Sequence, residues 1–343
     1  MPQARRDSLA GPRPTSWQTP CPPQSLRCCP PPPRQAPGPA PNASAMTWTV
    51  ERCLREDPRL SRTDLDYLKE WHKKQPHLPP MTDIQFINFL HCNYYSLEKC
   101  KVCIDKYFTM RTHAPEMFSN RDVLLPVNAA QEQFTLVVDI PKRDCNGYRV
   151  IGLGLQPAAD LSALVPERAA LVAFAMIDLL VREWPICPGY TVVMDAANLQ
   201  LGHIAKTSIP LLKKMLTYVQ EAAPIRMKIV HVININPVVE KVMLLIKPFL
   251  GEELQKMLKF HSGSMESFYE ALPRDMLPHE FGGTSGSAVE YHRKLFKQLK
   301  EKREELIEEE TLQQVNENLR PGRATDAGEV FGMEGSFKKL DID

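Results

Sequence analysis

The chain has 343 residues and carries 42 lysines and arginines against 41 aspartates and glutamates, a net charge of +1. Near-neutrality gives no general affinity for nucleic acid. No uncharged apolar run approaches the roughly 18 to 20 residues of a membrane span; the longest, Ala169 to Ile177, is ended by Asp178.

The length allows two compact domains, each with its own core. Residues 1–45 belong to neither. They hold 13 of the 31 prolines, including the run Pro30 to Pro33, and almost no aliphatic side chains. Such a stretch buries too little apolar surface to offset its ordering entropy, so a disordered extension is expected. Its five arginines face one acid, Asp7, which leaves the rest of the chain mildly acidic. No hydrophobic signal segment follows Met1, so a cytoplasmic protein is expected and Asn42-Ala43-Ser44 reads as an unused glycosylation match. Met46 opens ordinary globular composition.

Residues 46–120 read as a helical domain. Ser61 with Asp64 three residues later marks a helix start, with Leu65, Leu68 and Trp71 on one face. Thr82 caps a second helix carrying Ile84, Phe86, Ile87, Phe89 and Leu90. Ser96 caps a third, in which Leu97, Cys100, Ile104 and Tyr107 recur at spacings of three and four. Cys21, Cys28 and Cys29 fall in the extension. Cys100 and Cys103 form a CxxC on a helix, with no second CxxC and no paired histidines at zinc spacing. Reduced, mostly buried thiols are therefore expected, and no metal.

After Asp122 the pattern changes. Phe134 to Ile140, Tyr148 to Leu153, Tyr190 to Met194 and Met227 to Ile235 are short and rich in β-branched residues, as strands are. They alternate with helices at about 166–184 and 207–222, which predicts an α/β sheet with substantial parallel pairing over 121–286. Residues 287–343 supply a charged helix, 287–319, and a tail. The thin stripe Leu295, Leu299, Leu306 and Ile307 predicts a solvated helix, with partner docking as the alternative.

One helix is unusually oily. Between Pro237 and Pro248 only Glu240, Lys241 and Lys247 are polar. At about 100° per residue these three lie close together with Leu244 among them, so the apolar arc covers most of the helix. The segment is too short and too charged for a span. An interior helix or a lid remains.

Catalytic signals are weak. Gly152-Leu153-Gly154 follows a strand and precedes a helix, but Pro157 stands where a third glycine belongs and no acid ends a strand about 20 residues on, so no nucleotide cofactor is expected. Asp195 ends a strand and His203 follows, yet no nucleophile sits at an elbow and His231 lies inside a strand. Capping and hydrogen bonding are expected of all three, with an enzyme at Asp195 and His203 as a rival. Apolar surplus is the stronger feature. Val172, Met176, Val192, Met194, Met215, Tyr218, Val219 and Val230 fall where sheet and helices would face each other. A solid core accounts for each singly; with the oily helix, a hollow apolar cavity is the alternative.

The stretch from Arg226 to Gly283, RMKIVHVININPVVEKVMLLIKPFLGEEL through LPHEFGG, resembles the CRAL-TRIO, or Sec14-like, family of lipid-binding and lipid-transfer proteins. TVVMDAANLQLGH, residues 191–203, occupies the place of a family strand and its Asp-containing turn. Residues 60–118 look like the family's amino-terminal helical domain. The ending GSFKKLDID resembles tails of insect members close to α-tocopherol transfer protein and cellular retinaldehyde-binding protein.

The resemblance implies an α/β fold in which an N-terminal helical domain precedes a sheet-and-helix lipid-binding domain with a gate helix. The gate would cover the ligand with Val242, Leu245, Ile246 and Leu250, while Leu244 and Phe249 touch a bilayer when it opens. Relatives also hold phosphoinositide head groups on a basic cluster. Arg226 and Lys228 match two of its positions, whereas Asn93, Glu253 and Met257 stand where others carry Arg or Lys, which implies weak phosphate binding. The resulting expectation is a non-enzymatic cytoplasmic carrier of a tocopherol- or retinoid-like lipid. It makes transient peripheral membrane contact and uses no cofactor or nucleic acid. The alternative is a phosphoinositide- or phospholipid-binding module that recruits a protein partner.

Overall fold

The computed structural model describes residues 48–157 and 160–332. The proline-rich extension with Cys21, Cys28, Cys29 and Asn42, and the closing segment GSFKKLDID, lie outside them.

Four helices open the described chain: α1 (Val50–Glu56), α2 (Arg62–Lys73), α3 (Asp83–Cys92) and α4 (Leu97–His113). Their starts follow the side-chain chemistry. Ser61 Oγ accepts from the Asp64 amide, and Thr82 and Gln85 satisfy each other's backbone amides as a capping box. Ser96 precedes α4 but makes no side-chain cap bond. Leu65, Leu68, Phe86, Ile87, Ile104 and Phe108 are buried together.

The sheet has five strands in the order β1 (Thr135–Arg143), β2 (Arg149–Leu155), β3 (Tyr190–Asp195), β4 (Met227–Ile233), β5 (Leu258–Phe260). β1 and β2 are antiparallel; β2 through β5 are parallel. Between strands run α5 (Pro166–Glu183), α6 (Leu201–Lys206), α7 (Ile209–Glu221), α8 (Pro237–Ile246) and α9 (Glu252–Met257). The core of the opening helices continues into Phe174 of α5 and Leu211 and Tyr218 of α7, so both segments share one apolar interior.

Period-two alternation assigns the two sheet faces. Val150, Val193 and Ile233 face α10 (Glu266–Ala271) and the loop after it, packing with Phe268, Leu277 and Phe281. The glycines of Gly152-Leu153-Gly154 lie inside β2, not in a turn after it. A Cβ on Gly152 would sit 2.5 Å from Phe281 Cε2, and one on Gly154 would sit 3.1 Å from the Asp195 carbonyl oxygen. Close packing explains both, as is usual for glycine in a strand interior.

The charged carboxy-terminal helix is two helices, α11 (Ala288–Glu301) and α12 (Arg303–Leu312), divided at Lys302. Leu295, Phe296, Leu299 and Leu306 are buried against α5 residues such as Leu171 and Ala175. Leu295, Leu299 and Leu306 of the stripe are therefore covered by the chain itself and not open to a partner, while the charged residues Glu290, Arg293, Lys294 and Lys297 are exposed as a solvated face. His292 Nδ1 also accepts the Val137 amide at 3.1 Å, so α11 occupies a donor on the edge strand β1.

Candidate functional site: an apolar cavity under a helix

The inner sheet face does not meet its helices. Between them lies a cavity of about 770 Å³, within the roughly 300 to 1,000 Å³ of ligand pockets. Met194 shows that the space is hollow. It sits in β3, with strands on both sides, and yet it is 44% exposed. Val192 and Met194 of β3 and Val230 of β4 line the wall, as alternation requires, while Val193 and His231 between them point to the other face. Met215, Tyr218 and Val219 contribute from α7.

Val172 and Met176 do not reach this wall. Both are fully buried in the layer that α5 shares with α11. Ala169, Ala170, Ala173, Phe174 and Ile177 line the cavity instead. These positions recur at spacings of three and four and form the other face of the helix.

α8 forms one wall of the cavity. Its first turn is fixed by Asn236, whose Oδ1 accepts from the Val238 amide at 2.9 Å and whose Nδ2 donates to the carbonyls of Ala196 and Leu199. Val242 and Ile246 line the cavity together with Val239, Met243 and, just past the helix, Leu250. Leu245 is half-buried off the cavity wall, and Phe249 lines a separate outer depression. Leu244 faces outward at 70% exposure. The helix is thus apolar both toward the cavity and at one outward position.

The wall carries a charged network with no local sequence signal. Asp178 of α5 accepts from Arg111 Nη2 at 2.8 Å and Arg121 Nη2 at 2.7 Å. Burial alone would raise its carboxyl, but the two guanidiniums outweigh that and hold it at about 2. Arg111 also donates to Tyr218 Oη and lies over the Tyr107 and Phe118 rings at 4.8 and 4.6 Å.

Asp195 and His203 are engaged separately. Asp195 accepts from the Ala197 amide and Asn234 Nδ2, and burial raises its carboxyl. His203 Nδ1 accepts from the Gln200 amide, and burial lowers its imidazole. His231 stacks on His261 with Nδ1 and Nε2 2.8 Å apart, on the far side of the sheet from the cavity. Each has a structural partner, as expected of all three. Among the described residues no cluster of His, Cys, Asp and Glu is arranged to hold a metal.

Arg226 is 4% exposed; its Nε donates to the His91 carbonyl, and its guanidinium lies 4.3 Å from the Tyr94 ring centre. Lys228 Nζ donates to the Tyr94 hydroxyl at 2.6 Å. The outer depression beside Arg226 contains Glu252, Glu253 and Met257 as well. Lys106, Lys213 and Arg320 line the same depression, and Arg226 Nη2 has no hydrogen-bond partner in the protein.

Residues 57–127 match the Pinta-like UBA domain family, and residues 132–283 match the CRAL/TRIO domain family. The chain is 26% identical over 259 residues to the human protein named alpha-tocopherol transfer protein-like, covering 75% of each chain. It is 24% identical over 238 residues to clavesin-1 of Xenopus laevis, covering 67% of this chain and 70% of that one. The crystal structure of Sfh5 aligns with 63% of this chain and 80% of that one, at 14% identity and a TM-score of 0.36.

Proposed function

We propose that this protein, whose residues 132–283 match the CRAL/TRIO domain family, carries one small hydrophobic lipid in the cavity beneath α8. It would release the lipid where that helix meets a membrane. The observation that carries the reading is the hollow under Met194. An interior strand residue left open to an oily space of this size is a ligand wall rather than a core defect, because protein interiors otherwise pack without such voids. A tocopherol- or retinoid-like molecule is the ligand class, consistent with the name of the human relative. Each Å² of apolar ligand surface removed from water contributes about 25 cal/mol, so shape and oil supply most of the affinity.

Membrane contact in this reading belongs to the outward side of α8. Leu244 enters the acyl boundary, with Lys241 and Lys247 at head-group level beside it. No reaction is involved. Arg226 and Lys228 add at most weak phosphoinositide contact, for the reasons of burial and pairing given above. No helix among the described residues is long and apolar enough to cross a membrane, so contact is peripheral and transient in this proposal.

The test is native mass spectrometry of protein purified from a lipid-rich host, followed by extraction and identification of the bound species. The expected result is one stoichiometric lipid, lost on Ile246→Asp. A protein that stays empty after exposure to lipid mixtures would overturn the proposal.

A further inference from the structure

At the border of the sheet β5 pairs with β4, Val230 opposite Leu258, His231 opposite Lys259 and Val232 opposite Phe260. Val230, Val232, Leu258 and Phe260 line the cavity. Alternation turns His231, and His261 just past β5, to the opposite face. There the two rings stack, with His231 Nδ1 2.8 Å from His261 Nε2. The His261 amide also donates to the Val232 carbonyl at 2.9 Å. The strand into which α8 and α9 lead is three residues long, and one side-chain bridge ties it to β4 from behind the cavity wall.

The bridge accommodates two protons and no more. Two neutral rings hold one each, and one of the two lies in the bridge. The other fits best on His261 Nδ1, which faces the exposed Ser267 hydroxyl at 3.2 Å. His231 Nε2 is then bare, as suits a buried nitrogen with no partner in the protein. A third proton has to go to that nitrogen, where no acceptor meets it, and a fourth sets two N–H groups against each other across the bridge. Each added proton also brings a charge to buried rings. Among the described residues the charged groups bearing on His231, besides His261, are Asp144 of the turn between β1 and β2, which favours the charge, and Lys259, which opposes it. Asp144 is engaged elsewhere, its oxygens accepting from Thr191 Oγ1 of β3 and from the Asn146 and Tyr148 amides. α10 presents the Phe268 ring to both histidines, and a ring carries no countercharge. Parting the bridge lets the nitrogens meet water instead.

We propose that the His231 and His261 pair is an acid-sensitive latch on the border strand. Protonation parts the bridge, loosens β5 and the α9 foot of the covering helix, and so speeds the exit of the lipid. The latch rests on the carrier reading and adds to it a control by pH, placed behind the wall and out of reach of the cargo.

The test loads the full-length protein with diphenylhexatriene and follows the passage of the dye into uncharged phosphatidylcholine vesicles at pH 7 and pH 5. Burial and the facing ring hold His231 at about 4, against an ordinary 6.5, so the open state takes the proton first. Full exposure of the ring on opening would favour the open state about twentyfold more at pH 5 than at pH 7. Acid should therefore quicken passage severalfold, with that value as the ceiling. The double variant His231→Gln, His261→Gln keeps an amide hydrogen bond and no titratable ring, and its rates at the two pH values should agree. Amide hydrogen exchange gives a second readout, each rate taken relative to an unstructured peptide at the same pH. In the wild type, acid should strip protection from residues 258–261 and spare β3. Equal wild-type rates at the two pH values, or acid quickening that persists in the double variant, would overturn the latch. Where the variant does not fold, equal losses of protection in β5 and β3 of the wild type do the same. A wild type that takes up no dye removes the carrier reading and the release step with it, while the exchange pattern still decides whether acid frees the strand.

Discussion

Arg111 on α4 donates to Tyr218 Oη on α7 at 2.9 Å, joining the opening helices to the wall of the cavity through a buried hydrogen bond. Asp178 holds the same guanidinium from α5 and shares its charge with Arg121. A single carboxylate is therefore shared by two buried cations, leaving these three groups with one net positive charge. Asp178→Ala should destabilise the fold by about 3 to 5 kcal/mol, the usual effect of removing one member of a buried charged group, read as a fall in the urea midpoint. The carboxyl's folded value of about 2 lies below its ordinary 3.8. The stability it contributes is thus complete above the ordinary value and disappears as pH falls through the lower one. An unchanged midpoint would mean that water, not Asp178, compensates the arginines.

The two apolar sides of α8 should separate by mutation. Leu244→Asp replaces an outward side chain and should leave stability within about 0.5 kcal/mol, while reducing co-sedimentation with anionic vesicles. Ile246→Asp puts a carboxylate on the cavity wall and should abolish lipid retention. Equal effects of the two substitutions on both assays would remove the case for a two-sided helix.

Gly152 tests the glycine pair. Its missing Cβ leaves room for the Phe281 ring, which is itself buried. Gly152→Ala should cost about 1 to 3 kcal/mol as overpacking, with part recovered by adding Phe281→Leu. Neither NAD nor ATP should raise the melting temperature of the wild type; such a rise would restore the nucleotide reading.

The histidine stack makes stability fall on the acid side. Burial, reinforced by the facing His261, takes His231 from its ordinary 6.5 to about 4, with Asp144 opposing and Lys259 assisting. The unfolded chain then binds the proton first. Stability is full above about pH 6.5 and declines toward pH 4, by about 2 kcal/mol between pH 7 and pH 5. His231→Leu should flatten that decline in denaturant titrations at the two pH values; an equally steep decline in the variant would assign it to other groups.

Much of the architecture was legible because it repeats locally. Four strands of β-branched residues, and helices whose caps precede apolar periodicity, can be read from neighbours in the chain. β5 could not, since Leu258-Lys259-Phe260 is too short for any period to show. The face of α5 was equally hidden: from Ala169 to Ile177 every residue is apolar, so Val172 and Met176 look as suited to the cavity as Ala173 and Ile177. Only the positions of α11 and α7 on opposite sides distinguish them. The grouping of Arg111, Arg121 and Asp178 joins residues far apart in the chain, and no local pattern announces it. The oily helix was visible because its composition departs from what a soluble surface tolerates, and the hollow beneath it was the harder inference, since apolar residues around a void and within a core are spelled alike.

The helix over the cavity is spliced between β4 and β5, parallel neighbours in one sheet, like the bow of a padlock held at both feet. One foot is the Asn236 turn; the other passes through α9 into a strand of three residues at the sheet's border. In the carrier reading proposed above, a bow fixed in this way would swing and not leave, and the weaker foot would govern how far. Loading and unloading should therefore be audible at the border strand, where a few backbone rungs between Val230 and Val232 and their partners Leu258 and Phe260 loosen or tighten with the cargo.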